Sequence, residues 1–138
     1  MHAIVRFLLI LALSVAALPF ASAGGGDPLF INLTSDDAHR AHMALNFGRN
    51  QLERGHPLTV FLNDRAVFIG SKAHAAKYAG QQKALAELAQ KGATLLICPM
   101  CMSDYGVKES DLLPELKVGN PELTGAALFR ENTKTLTW

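Results

Sequence analysis

The chain has 138 residues, 49% of them hydrophobic, with 13 Lys and Arg against 12 Asp and Glu. That is one domain's length with enough apolar material for a core; the near-balance of charge, without a basic run or aromatic-basic alternation, argues against a nucleic-acid surface. Both cysteines lie in Cys98-Pro99-Met100-Cys101. A bridge there would close too short a loop to act as a staple, so reactivity or metal binding explains the pair better.

Residues 1–23 read as a secretory signal. A short start carrying Arg6 leads into an apolar run over 7–18, Pro19 breaks it, and Ala21-Ser22-Ala23 supplies small residues for a peptidase. The apolar run falls short of the ~20 residues needed to span a bilayer. Loss of Arg6 brings acidic and basic side chains into balance, and no cysteine follows the cleavage site to take a lipid. The mature protein is expected to be periplasmic or secreted, with no membrane association once the signal is cleaved.

Residues 24–27 form a flexible, Gly-rich leader, and one domain is expected over 28–138. Its first strand is predicted at 28–33. Thr34-Ser35-Asp36-Asp37 then offers helix caps, and a helix follows to about residue 54. Ala41, Leu45, Gly48 and Leu52 share one face of it, His42, Asn46 and Arg49 another, and Gly55 stops it. The continuous apolar run at 58–62 predicts a strand buried on both faces. After a variable stretch at 63–70, two helical pieces are expected near 71–78 and 81–91, with Gly92 ending the second. A buried strand at 93–97 runs straight into Cys98. Beyond the cysteine loop come a short helix at 109–113 and a short strand at 116–118. Asn120-Pro121-Glu122 then opens a helix to about 131, and a strand closes the chain at 133–137. There is no internal repeat. This alternation predicts an α/β fold: a single doubly wound, mostly parallel sheet flanked by helices on both faces, with flavodoxin-like layering.

In such sheets, sites collect at the carboxyl ends of strands, where Cys98 falls. A thiolate there, near a helix start, can be activated by backbone N–H groups. Cys98 and Cys101 are therefore the candidate catalytic residues, for dithiol exchange, persulfide carriage or soft-metal binding. Met100 and Met102 flank Cys101, and with the two thiolates they form a donor set suited to Cu(I). Without that reading the methionines fill gaps beneath the loop and no cofactor is expected. His39 and His42, one helical turn apart, could place a base over the loop or stand as two solvated histidines. A phosphate loop is missing, and Asp36 and Asp37 put negative charge where a phosphate would bind. The CxxC also falls too late in the chain for thioredoxin topology.

The residues 29–138 resemble the DsrE/DsrF-like family, which includes TusD-type sulfur-relay subunits. The likeness rests on the helix ending in Gly55-His56, the strand Thr59-Val60-Phe61-Leu62 followed by Asn63-Asp64-Arg65-Ala66-Val67, and Leu96-Ile97-Cys98 with Gly106-Val107 behind it. In relay members a strand ends in a reactive cysteine, with Gly-Val or Gly-Ile eight residues on. The resemblance implies a doubly wound domain assembling as a homotrimer or homohexamer and carrying sulfane sulfur as a persulfide on Cys98. Such a carrier or sulfurtransferase works between sulfur donor and acceptor proteins. Relay members often have arginines before the Gly-Val, where this chain has Asp104-Tyr105, and they work in the cytosol. The alternatives are a Cu(I)-binding or thiol-redox module using Cys98, Met100, Cys101 and Met102, and a non-catalytic oligomeric scaffold.

Overall fold

The apolar runs form strands, and the segments between them fold back as helices or single turns. The structure, a computed structural model, describes residues 26–138; the expected signal lies outside the described residues. In chain order the elements are β1 (Leu29–Leu33), α1 (Ala38–Glu53), β2 (Leu58–Leu62) and a 3-10 turn (Asp64–Phe68). A second 3-10 turn (Lys72–His74) leads into α2 (Ala75–Gln90). Then come β3 (Thr94–Ile97), α3 (Pro99–Tyr105), a third 3-10 turn (Glu109–Asp111), β4 (Lys117–Val118), α4 (Pro121–Leu128) and β5 (Lys134–Thr137). The strands make one five-stranded parallel sheet in the order β4-β3-β2-β1-β5. Among the described residues no helix is long and apolar enough to cross a membrane.

Strand register sorts the side chains onto two faces. Leu29 lies beside Leu58, Ile31 beside Val60 and Leu33 beside Leu62, and β3 continues the rows with Leu95 and Ile97. All are buried, and with Ala41, Ala44 and Leu45 of α1 and Leu85 and Leu88 of α2 they form the core. Gly48 lets α1 approach the sheet: a Cβ there would sit 2.9 Å from Ile31 Cδ1 and 3.1 Å from Leu58 Cδ2. The opposite face carries Phe30 and Phe61, whose rings lie 6.2 Å apart. Helix α4 covers this face and has no fully buried residue of its own.

Three sequence expectations change in detail, and one is met. β2 is not buried on both faces, because the short α4 leaves Thr59 and Phe61 half-buried. The two helical pieces expected after residue 70 are found: the 3-10 turn and the start of α2 run to a kink at Tyr78 (φ −118, ψ 22), whose side chain is drawn into the core, and the rest of α2 continues to Gln90. The last helix stops at Leu128, not near 131, since the chain must turn back into β5. Asn132 takes a left-handed conformation (φ 60) there, one that Asn tolerates. The cysteine segment, expected as a loop, is a helix from Pro99 onward.

Candidate functional site

Three neighbouring strands deliver the site. Asn32 sits near the end of β1, Asn63 directly follows β2, and Cys98 directly follows β3. The Asn63 N–H donates to Leu33 O (2.8 Å) and the Cys98 N–H to Leu62 O (2.9 Å), so each residue is held by the neighbouring strand. Cys98 has extended backbone angles (φ −73, ψ 114) and caps α3, with Pro99 pre-set for the first helical position. The helix ends at Gly106, whose left-handed φ of 69 favours glycine, and Val107 tucks back into the core.

Capping fixes both sulfurs. The Cys101 N–H donates to Cys98 Sγ at 3.2 Å. Cys98 Sγ is thus an acceptor, and Cys98 borders a shallow groove of about 210 Å³ with Phe61, Pro99, Met100, Asn120 and Thr124. A larger cavity, about 320 Å³, lies at the other end of the sheet between α1 and β5 and is bordered by no cysteine. Cys101, half-buried like Cys98, sits in a polar nest. Its S–H donates to Asn63 Oδ1 (3.0 Å), and its sulfur accepts from the Asp64 N–H (3.2 Å). Burial, and next the neighbouring Cys98 sulfur, push the Cys101 thiol up to about 11, against the opposing pull of the Asp64 N–H. Asp64 reaches this position in the left-handed region (φ 46), and its carboxylate accepts the Tyr105 hydroxyl.

Hydrogen bonds and ion pairs around Asp36 hold this turn. The Asp36 carboxylate accepts from Arg65 Nε (2.9 Å), the Tyr78 hydroxyl (3.0 Å) and Lys77 Nζ (3.3 Å). The Arg65 guanidinium in particular holds the Asp36 carboxyl well below the usual carboxylate range, against the cost of burial. Arg65 also lies over the rings of Phe68 and Tyr105. Asp37, not Asp36, caps α1 by accepting from the Arg40 N–H.

Cys98 and Cys101 therefore meet in one site, and the other candidates spread out. Met102 is buried in the core, whereas Met100 is 75% exposed. Met100 borders the same groove as Cys98, and Met102 lies on the buried side of α3. His39 and His42 are exposed on α1, where His42 bonds Asn46, and no histidine is hydrogen-bonded to either sulfur among the described residues. Asn32, Asn63 and Asp64 were not singled out by chemistry in the sequence. The available signal was position: two polar residues immediately after a buried strand, at the end of the sheet where sites gather.

A parallel α/β sheet with a cysteine capping a helix at the carboxyl end of a central strand defines a class of small thiol-bearing domains. The chain belongs to the DsrE/DsrF-like family, whose profile matches residues 29–134. Membership suggests a sulfur-relay-related function. Three solved structures share the fold. The ychN protein of E. coli has a TM-score of 0.68 at 16% identity, covering 81% of this chain and 99% of its own. MTH1491, a protein of unknown function from Methanobacterium thermoautotrophicum, has a TM-score of 0.66 at 17% identity, covering 80% and 98%. BT1422, a conserved protein of unknown function from Bacteroides thetaiotaomicron, has a TM-score of 0.64 at 22% identity, covering 81% and 95%. No curated protein matches the sequence.

Proposed function

We propose that this protein carries sulfane sulfur as a persulfide on Cys98, outside the cytoplasm, receiving it from one protein and passing it to another. The observation that carries the reading is the unequal setting of the two cysteines. Cys98 opens onto the groove with its sulfur already accepting a backbone N–H, while Cys101 is turned inward onto Asn63. In the loading step the Cys98 thiolate attacks the outer sulfur of a donor persulfide R–S–SH. The donor S–S bond breaks, the R–S⁻ thiolate leaves, and Cys98–S–SH remains. An acceptor thiolate reverses the step by attacking the outer sulfur. No oxidant is consumed in either direction.

The groove beside Cys98 is bordered by Phe61, Pro99, Met100 and Pro121 and has no charged side chain. It suits an apolar segment of a partner around its own cysteine. The signal expected at residues 1–23 would give a periplasmic or secreted setting, and assembly as a trimer or hexamer would bring several such grooves together. Incubation of the reduced mature protein with a sulfane-sulfur donor, followed by intact-mass measurement, should add the mass of one sulfur that a thiol reductant then removes. Copper retained through dialysis, with no sulfur gained, would replace this reading with the Cu(I) one.

A further inference from the structure

The Asn63 amide is held at both ends. Its Nδ2 donates to Asn32 Oδ1 of β1 (3.3 Å), while its Oδ1 accepts from the Asp64 N–H (2.9 Å) and from the Cys101 S–H (3.0 Å). The bond to β1 decides which end of the amide meets the sulfur. With Nδ2 committed to Asn32, the oxygen faces Cys101. An oxygen acceptor is satisfied by an S–H and repelled by a thiolate. The one N–H directed at Cys101 Sγ among the described residues, that of Asp64, is shared with the same Asn63 oxygen. The ionisable neighbours push the same way: the Cys98 sulfur and the Asp64 carboxylate, itself bonded by Tyr105, disfavour negative charge on Cys101. Arg65, the nearest cation on this turn, is engaged by Asp36.

We propose that Asn63, anchored by Asn32, is a positioning residue that keeps Cys101 a thiol and so prevents it from discharging sulfur carried on Cys98. The proposal rests on the persulfide reading for its consequence. The suppressed step is internal. The Cys101 thiolate attacks Cys98 Sγ, the bond from Sγ to the outer sulfur breaks, hydrosulfide leaves, and a Cys98–Cys101 disulfide forms. The sulfane sulfur is reduced to sulfide as the two cysteines are oxidised, so no outside oxidant is required. Such a step tracks the thiolate fraction of the attacking cysteine. Asn63 thereby sets the lifetime of the cargo, making the CxxC a guarded carrier and not a rapid dithiol exchanger.

The test needs no cargo. Reduced full-length protein mixed with the aromatic disulfide dithiobis(nitrobenzoate) should release coloured thiolate in two phases. Cys98 attacks the reagent first, and Cys101 then attacks the mixed disulfide. At mildly alkaline pH, Asn63→Ala should quicken the second phase by about threefold, the thiolate gain from losing one hydrogen bond less the fall in nucleophilicity. Its pH profile should also move to lower pH. Asn63→Asp, which retains an acceptor oxygen and adds charge, should slow the second phase and move the profile upward; Cys101→Ser should lack it. An unchanged or slower second phase in Asn63→Ala, or a faster one in Asn63→Asp, overturns the proposal. Should Asn63→Ala fail to fold, the Asn63→Asp arm decides alone. A protein that never accepts sulfane sulfur would remove the persulfide reading, and the two phases would still report whether Asn63 governs Cys101.

Discussion

At the scale of single residues, the two cysteines differ because one caps a helix and the other lies inside its first turn. Cys98 accepts a backbone N–H and borders the groove; Cys101, also half-buried, is hydrogen-bonded to Asn63 and Asp64. With its pKa raised to about 11, Cys101 stays protonated through neutral pH and becomes a thiolate only as the pH climbs toward that value. An ordinary cysteine would be half ionised near 8.5. Limiting iodoacetamide near neutral pH should therefore label Cys98 first, as peptide mapping would read, and Cys101 labelling should keep rising beyond the range where free cysteine levels off. Equal labelling of both at neutral pH would remove the asymmetry on which the functional reading stands. The Cys98-Pro99-Met100-Cys101 motif was legible in the sequence because its chemistry is local. The partners of Cys101 were not, since Asn63 lies 38 positions away and Asn32 further still. They meet only because β1, β2 and β3 are neighbours in the sheet.

Among the elements, the turns after β1 and β2 are tied together through Asp36, which joins Arg65 on the 3-10 turn to Lys77 and Tyr78 on α2. Its folded-state pKa is depressed, with the Arg65 hydrogen bond as the largest cause. This stabilisation is therefore fully present above the unfolded value of about 3.9 and fades as the pH falls below it. Asp36→Asn should cost on the order of 2 kcal/mol in urea unfolding at neutral pH, less any part screened by solvent at the exposed Arg65 and Lys77. The variant should also lose stability less steeply than the parent on acidification. Identical acid limbs in the two proteins would show that Asp36 contributes nothing. The sequence showed strands and caps well, because apolar runs such as Leu58–Leu62 and the Asn120-Pro121-Glu122 start carry their signal within a few residues. It misjudged the cysteine segment as a loop: a helix of seven residues is too short to display periodicity, although Pro99 was its first-turn signal.

In the whole molecule, the two faces of the sheet are covered unequally. Helices α1 and α2 bury one face, while the face under α4 keeps Phe61 half-buried, and Leu123 and Phe129 are exposed at 44% and 84%. The proposed trimer or hexamer would cover these side chains. Light scattering of the mature protein at micromolar concentration should give a mass of three or six chains, and Phe129→Asp should lower it while leaving the far-ultraviolet circular dichroism of the folded chain unchanged, with the unfolding midpoint falling by no more than the lost association. A parent protein that remains monomeric would contradict the assembly. The alternation of elements was legible at this scale; the thin cover was not, because the sequence pattern of β2 reads as buried whether the second face meets a long helix or a short one. The central claim is that Cys98 Sγ is the atom that takes up sulfur, and the most direct measurement is sulfur loading of the parent, Cys98→Ser and Cys101→Ser proteins compared by intact mass. The account predicts one added sulfur on the parent and on Cys101→Ser, and none on Cys98→Ser; loading that survives in Cys98→Ser, or is lost equally in both variants, would contradict it.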